Sequence, residues 1–266
     1  MTVRRSHTEL SRAIEESFVD AFSTLCTASP DAVLQDEGDL IIYSSGYSNS
    51  LLNGVLAAKF NSENMAERIE HAISFFRERG LPMTFFVGPF CTPPELDDCL
   101  QDKGLIPGWA RPGMAISLNT VYKGQMPEGL EIREVDDEAS LKVCATTFAN
   151  GFGVGDDFVG WLHDLVIGYG FGHTRRWLIG FLKGNPVSTS LLVLHKGIAG
   201  IYCVATLQEA RGMGLGTALT RESLLSAKEM GVDFAVLQSS RLGLPVYEKL
   251  GFKEYCKIRA YVWHPK

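Results

Sequence analysis

The sequence predicts an α/β (α+β) protein with a mixed, mostly antiparallel central sheet flanked by helices, preceded by a related or smaller α/β domain. Three observations carry this reading. Residues 176–182, 187–195 and 198–204 are apolar runs separated only by short glycine turns at Lys183-Gly184-Asn185 and Lys196-Gly197, the spacing of an antiparallel meander. The third run leads through a short polar link into Arg211-Gly212-Met213-Gly214-Leu215-Gly216 and then a helical segment reaching about Met230. In the first 120 residues, strand-like and helix-like stretches also alternate.

Taken in order, residues 8–28 read as a helix, with Leu10, Ile14, Phe18, Phe22 and Leu25 on one stripe. Residues 39–43 and 54–60 read as strands around a Gly/Ser/Asn-rich connection. Residues 62–79 form the clearest helix, with Met65, Ile69, Ala72, Ile73 and Phe76 on one face and Gly80 at its stop. A strand at 83–87, a helix opened by Thr92-Pro93-Pro94-Glu95 and a strand at 114–118 complete the first half. Residues 119–129, with Pro127 and Gly129, read as a linker, so that domains of 1–120 and 130–266 are expected. A strand at 131–134, a helix at 138–149, a glycine-rich segment at 150–155 and a helix entered through Asp156-Asp157 precede the meander. The chain closes with a strand at 234–237, a short helix stopped by Gly251 and a strand at 257–263.

Composition narrows the function. The 266 residues are 45% hydrophobic and 21% charged, as in ordinary globular proteins, and a net charge of −6 with no basic run argues against a nucleic-acid binder. No apolar run approaches membrane-spanning length, and the N-terminus has no apolar stretch after Arg4-Arg5. Cys26, Cys91, Cys99, Cys144, Cys203 and Cys256 are scattered, without metal-ligand spacing, and read as reduced thiols in a cytoplasmic protein that holds no metal.

Gly212, Gly214 and Gly216 fall within five residues, so backbone N–H groups can face one point without Cβ obstruction. A helix starting there adds its unpaired N–H groups and the positive end of its dipole, making an anion cradle. No Lys follows Gly216, which excludes a Walker loop, and Thr217 and Leu219 break the dinucleotide fingerprint. The pattern beginning at Arg211 resembles the pyrophosphate-binding motif of the GNAT-type, acetyl-coenzyme A-dependent N-acetyltransferases. A second stretch, Leu237-Gln238-Ser239-Ser240, then Tyr247 on a short helix, then Gly251-Phe252, is similar to the closing segment of that family. The resemblance covers about residues 130–263. Residues 82–105 parallel the closing segment without its glycine loop or tyrosine, so the first half is either a degenerate, non-catalytic copy of the fold or an unrelated α/β domain.

The resemblance implies a site. The donor's diphosphate would lie on the backbone of Gly212, Met213, Gly214, Leu215, Gly216 and Thr217, with Arg211 adding charge or lying on the surface. The pantetheine arm would pair with the strand at Cys203, Val204 and Thr206, with Val204 N–H as oxyanion donor and Ser240 contacting the arm. Tyr247 would protonate the departing thiolate; the alternative is a packed tyrosine with its hydroxyl bonded to backbone. No base is evident: Tyr202, His195, Asp156 and Asp157 qualify by location only, and the last two equally read as helix caps. The aromatic and acidic residues of 148–173 would suit a cationic amine, or simply be core and caps. The expected activity is acetyl transfer from acetyl-coenzyme A to a primary amine of a small molecule or peptide by direct attack, in a monomer or homodimer. A silent acyl-coenzyme A-binding module, or an enzyme using another acyl donor, is the alternative.

Overall fold

The computed structural model describes residues 5–152 and 156–265. Helix α1 (His7–Cys26) opens on a capping box, in which Glu9 N–H donates to Ser6 Oγ and Ser6 N–H donates to Glu9 Oε2 at 2.6 Å. Strands β1 (Val33–Asp36), β2 (Ile41–Ser44) and β3 (Asn53–Leu56) follow. Then come α2 (Met65–Glu78), β4 (Met83–Val87), α3 (Leu96–Asp102) and β5 (Ile106–Ser117). After the connecting segment lie β6 (Leu130–Glu134), α4 (Glu138–Phe152), α5 (Asp156–Tyr169), β7 (Arg175–Leu182), β8 (Asn185–His195) and β9 (Ile198–Thr206). The chain ends with α6 (Leu215–Glu229), β10 (Phe234–Gln238), α7 (Leu244–Leu250) and β11 (Lys253–Trp263).

The elements differ from expectation where the local pattern is weak. β1 escaped notice because three of its four residues are exposed, leaving no apolar run. β3 ends at Leu56 rather than residue 60, because Ala57 takes a positive φ of 56° and leaves the ladder. β5 begins eight residues early, its start obscured by Pro107, Gly108 and Pro112. α3 starts at Leu96, and α4 continues past Ala149 to Phe152. Residues 153–155 of the predicted glycine-rich segment lie outside the described residues.

The chain forms two compact units, and each takes one end of the chain from the other. One comprises Phe22–Pro112 with residues 256–265. Its strand order is β1-β2-β3-β4-β11. β1, β2 and β3 are antiparallel, β3 and β4 parallel through Gly54↔Thr84 and Val55↔Phe85, and β11 antiparallel to β4. Ile42, Val55, Ile69, Ile73, Phe76 and Phe85 lie at its core.

The other unit comprises Gly113–Tyr255 with the residues through Ala21. Its order is β5-β10-β9-β8-β7-β6. β6 to β9 form the antiparallel meander, β10 is parallel to β9, and β5 is antiparallel to β10. Leu224 and Ala227 of α6 share a core with Leu192, Ala199, Ile201 and Leu237.

Both units run through successive antiparallel strands, then a helix, then a strand parallel to the one before that helix, then a short helix. This agrees with a degenerate N-terminal copy. Among the described residues no helix is long and apolar enough to cross a membrane.

Candidate functional site

In the second unit, β9 and β10 are register partners only at Ala199↔Ala235 and Gly200↔Val236. β9 then runs on to Thr206 paired with β8 alone. Its other edge carries main-chain donors and acceptors with no strand partner among the described residues. Such groups call for a hydrogen-bonding ligand or water.

Along this stretch the ladder is irregular. Leu191 pairs with Tyr202 and Thr189 with Ala205, so Cys203 and Val204 together oppose Ser190. Cys203 has φ of 49°, a left-handed conformation that costs a residue with a Cβ about 1–2 kcal/mol. Side chains of β8 hold it there. Thr189 Oγ1 donates to the Cys203 carbonyl at 2.9 Å and Ser188 Oγ to the Ala205 carbonyl at 2.7 Å. Ser188 Oγ also lies 3.0 Å from Thr206 Oγ1. These buried hydroxyls gave no sequence signal, because small polar residues in an apolar strand read only as interruptions.

The glycine loop then turns into α6. Gly212 and Gly214 have φ of 81° and 79°, so both need glycine for the backbone path. The first intrahelical bond of α6 is Ala218 N–H to the Gly214 carbonyl, which leaves the N–H groups of Leu215, Gly216 and Thr217 without helical partners. A Cβ on Gly212 would meet nothing within 4 Å; one on Gly216 would stand 3.9 Å from both Val204 Cγ1 and Thr206 Oγ1. The helix start thus lies beside the end of β9. Leu215 turns its side chain into a core with Val187 and Ala210, and Met213 is exposed.

Arg211 sits where the motif requires, yet its guanidinium is committed to the protein. Nε donates to the Thr206 carbonyl at 3.1 Å and Nη2 to the Gly151 carbonyl at 2.9 Å. It ties the glycine loop to the end of β9 and the last turn of α4. A Cβ on Gly151 would be 2.8 Å from Ala205 Cβ, so glycine allows α4 this close approach.

Ser240 and Tyr247 are brought together at the other arm. Gly243 N–H donates to Ser240 Oγ at 3.1 Å, and a Cβ on Gly243 would lie 2.7 Å from the Tyr247 ring and 3.3 Å from Ser240 Oγ. The Tyr247 ring is buried against Phe252, 5.8 Å between centres. Burial raises its phenol to about 12, and among the described residues its hydroxyl forms no hydrogen bond. The ring is thus part of the core, as the packed reading expects.

The candidate bases are placed less favourably. Tyr202 shares a 2.8 Å hydrogen bond with Ser17 of α1, and burial pushes its phenol far up, away from service as a base at neutral pH. His195 Nδ1 lies 3.2 Å from Asp20 Oδ1. Asp156 and Asp157 stand in the first turn of α5 rather than ahead of it. Of the aromatic residues on α4 and α5, Phe148 and Phe158 are buried with Phe152 between them, and Arg175 lies 4.7 Å over the Tyr169 ring. The segment is largely core, and Phe152 and Phe171 are its exposed members. No group of three or more His, Cys, Asp or Glu side chains among the described residues is placed to hold a metal ion.

Residues 144–252 match the Acetyltransferase (GNAT) family. The C-terminal half is a GNAT-type domain. Solved structures share the fold over nearly the whole chain. A GCN5-related N-acetyltransferase from Kribbella flavida matches with TM-score 0.70 and 16% identity, over 96% of this chain and 95% of that one. One from Sphaerobacter thermophilus gives 0.64 and 16%, over 98% and 94%. A tandem GNAT protein from the clavulanic acid biosynthesis pathway gives 0.61 and 16%, over 92% and 87%. At these identities the likeness is one of fold. Among curated proteins none matches. GNAT family and fold support an acyltransferase, and in this domain Val204 of β9 packs against the core cluster that includes Tyr247.

Proposed function

We propose that the chain is an N-acetyltransferase that moves an acetyl group from acetyl-coenzyme A to a primary amine of a small molecule or peptide, by direct attack in a ternary complex. The observation that carries this is that β9 has no register partner in β10 beyond Gly200 and Val236, and that the helix start of α6 lies beside the end of β9. An acyl-pantetheine arm is an extended chain with two amides, suited to an unpaired strand edge. Its diphosphate then meets the helix start, where N–H groups and dipole both favour an anion.

In this reading Gly212 to Thr217 hold the diphosphate by backbone, and Cys203, Val204 and Thr206 take the arm. Val204 N–H stabilises the oxyanion as the amine attacks the thioester carbonyl. The C–S bond breaks, Tyr247 gives its proton to the departing thiolate, and the amine's proton leaves to water. Ser240 Oγ, already accepting from Gly243 N–H, keeps its own proton to donate to the arm. Arg211 positions the loop through its bonds to the Thr206 and Gly151 carbonyls. The N-terminal unit is a non-catalytic partner, and free cysteines fit a cytoplasmic location.

The test is a thermal-shift titration with acetyl-coenzyme A followed by thiol release against a panel of amines. Concentration-dependent stabilisation with turnover is expected. Stabilisation without turnover on any amine would favour a silent acyl-coenzyme A-binding module, and no stabilisation would remove the donor assignment.

A further inference from the structure

We infer that the segment joining the two halves of the sequence seats the adenine ring of the donor between Met126 and Met213, an inference that rests on the donor assignment above. Residues 119–129 are strapped along α6 in the opposite direction to the helix. At one end Lys228 Nζ donates to the Val121 carbonyl at 3.0 Å and lies 5.2 Å from the centre of the Tyr122 ring. Midway, Arg221 Nη1 reaches the Gln125 carbonyl at 3.5 Å, and its guanidinium fills the place of a side chain at Gly124. At the other end Pro127 Cγ is 3.7 Å from where a Cβ on Gly214 would stand. The strap ends on the loop that faces the diphosphate.

Two large apolar side chains stay in water at this end. Met126 precedes Pro127 and is 43% exposed; Met213 precedes Gly214 and is 49% exposed. Each adjoins in sequence one side of the Pro127–Gly214 approach, and a Cβ on Gly212 would meet nothing within 4 Å. Coenzyme A is linear in the relevant sense: from the diphosphate one direction leads to pantetheine, the other to ribose and then purine. With the pantetheine running onto the β9 edge, the purine falls at the rim that these methionines border. A flexible, polarisable thioether packs well on a flat aromatic face, and an uncharged purine needs no ion partner there. The strap lies outside residues 144–252, so the family match alone gives no hint of it.

The test is calorimetric titration of the full chain with two probes, acetyl-coenzyme A and S-acetyl-4′-phosphopantetheine, which lacks the adenosine together with its 3′-phosphate and one phosphate of the diphosphate. Wild-type protein is expected to bind the first more tightly. The Met126→Ala variant, altered at an exposed position outside the diphosphate loop, should weaken acetyl-coenzyme A by about threefold, the scale of one sulfur–aromatic contact, and leave the truncated probe unchanged. Equal weakening of both probes, or no weakening of either, overturns the subsite. Wild-type binding of both probes with equal affinity also overturns it while leaving the donor assignment standing. If wild type binds neither probe, the donor assignment falls and takes the subsite with it.

Discussion

Arg211 donates from Nη2 to the carbonyl of Gly151 at 2.9 Å, joining the glycine loop to the last turn of a helix sixty residues earlier. Its Nε holds the Thr206 carbonyl in the same way. A motif arginine beside a phosphate site invites a direct ionic role, but these bonds give a positional one. Arg211→Ala should therefore loosen the loop and weaken acetyl-coenzyme A by about five- to tenfold, the range of lost hydrogen bonds to a charged donor. Because no phosphate contact disappears, the dependence of affinity on salt should keep its slope. Titrations at several ionic strengths decide this, and a flattened slope in the variant would return Arg211 to the phosphate.

The cradle can be tested without disturbing its backbone. Gly214 has φ of 79°, so any substitution there mixes strain with occlusion. Gly216 lies within α6, and a Cβ there meets nothing nearer than 3.9 Å. Gly216→Ala should fold normally and bind acetyl-coenzyme A with at most a modest loss. Gly216→Glu places a carboxylate toward the diphosphate and should weaken binding about tenfold or more at low salt. Unchanged affinity in the glutamate variant, with its melting temperature preserved, would move the phosphate site elsewhere.

Tyr247 has a buried ring and an unbonded hydroxyl, which separates its two roles. Tyr247→Phe removes no hydrogen bond of the free protein, so the melting temperature should hold or rise slightly. If the hydroxyl protonates the thiolate, kcat should fall about a hundredfold while the affinity for acetyl-coenzyme A stays. Full kcat in the variant would end the acid role. Burial also links this residue to alkaline stability. The phenol rises from 10 to about 12 on folding, so the native state favours the protonated form. That contribution is complete below pH 10 and is lost as pH climbs from 10 to 12. Denaturant midpoints across this range should decline less steeply in Tyr247→Phe.

The glycine loop and the Tyr247 segment were legible in the sequence because each is a short local pattern whose backbone demands name its residues. What the sequence withheld is long-range. Nothing local tells that β9 and β10 part after Gly200 and Val236, since that depends on where a strand thirty-six residues later pairs. Arg211 shows its charge in the sequence but not its direction. Residues 119–129 announced themselves as a linker through Pro127 and Gly129, whereas the strap is made by Lys228 and Arg221 about a hundred residues on. The bulge at Cys203 depends on Ser188 and Thr189 across the hairpin, and a hydroxyl in an apolar run does not say which carbonyl it will hold.

The repeated strand order raises the question of a second donor site, and the N-terminal unit carries its own reply. β3 and β4 pair through Gly54↔Thr84 and Val55↔Phe85 and then separate, as β9 and β10 do, with Ala57 in a left-handed conformation like that of Cys203. Here the gap closes again. Thr92 N–H donates to the Ala58 carbonyl at 3.1 Å and Phe60 N–H to the Thr92 carbonyl at 3.1 Å, so the chain itself supplies the partner for this edge. No glycine loop opens α2, which starts after Asn64. An extended ligand would have to displace these bonds and would find no cradle for its diphosphate. Calorimetry with acetyl-coenzyme A should accordingly give about one site per chain, abolished by Gly216→Glu. A second site that survives that substitution would place a working donor groove in the N-terminal unit and make the copy less degenerate than its sequence implies.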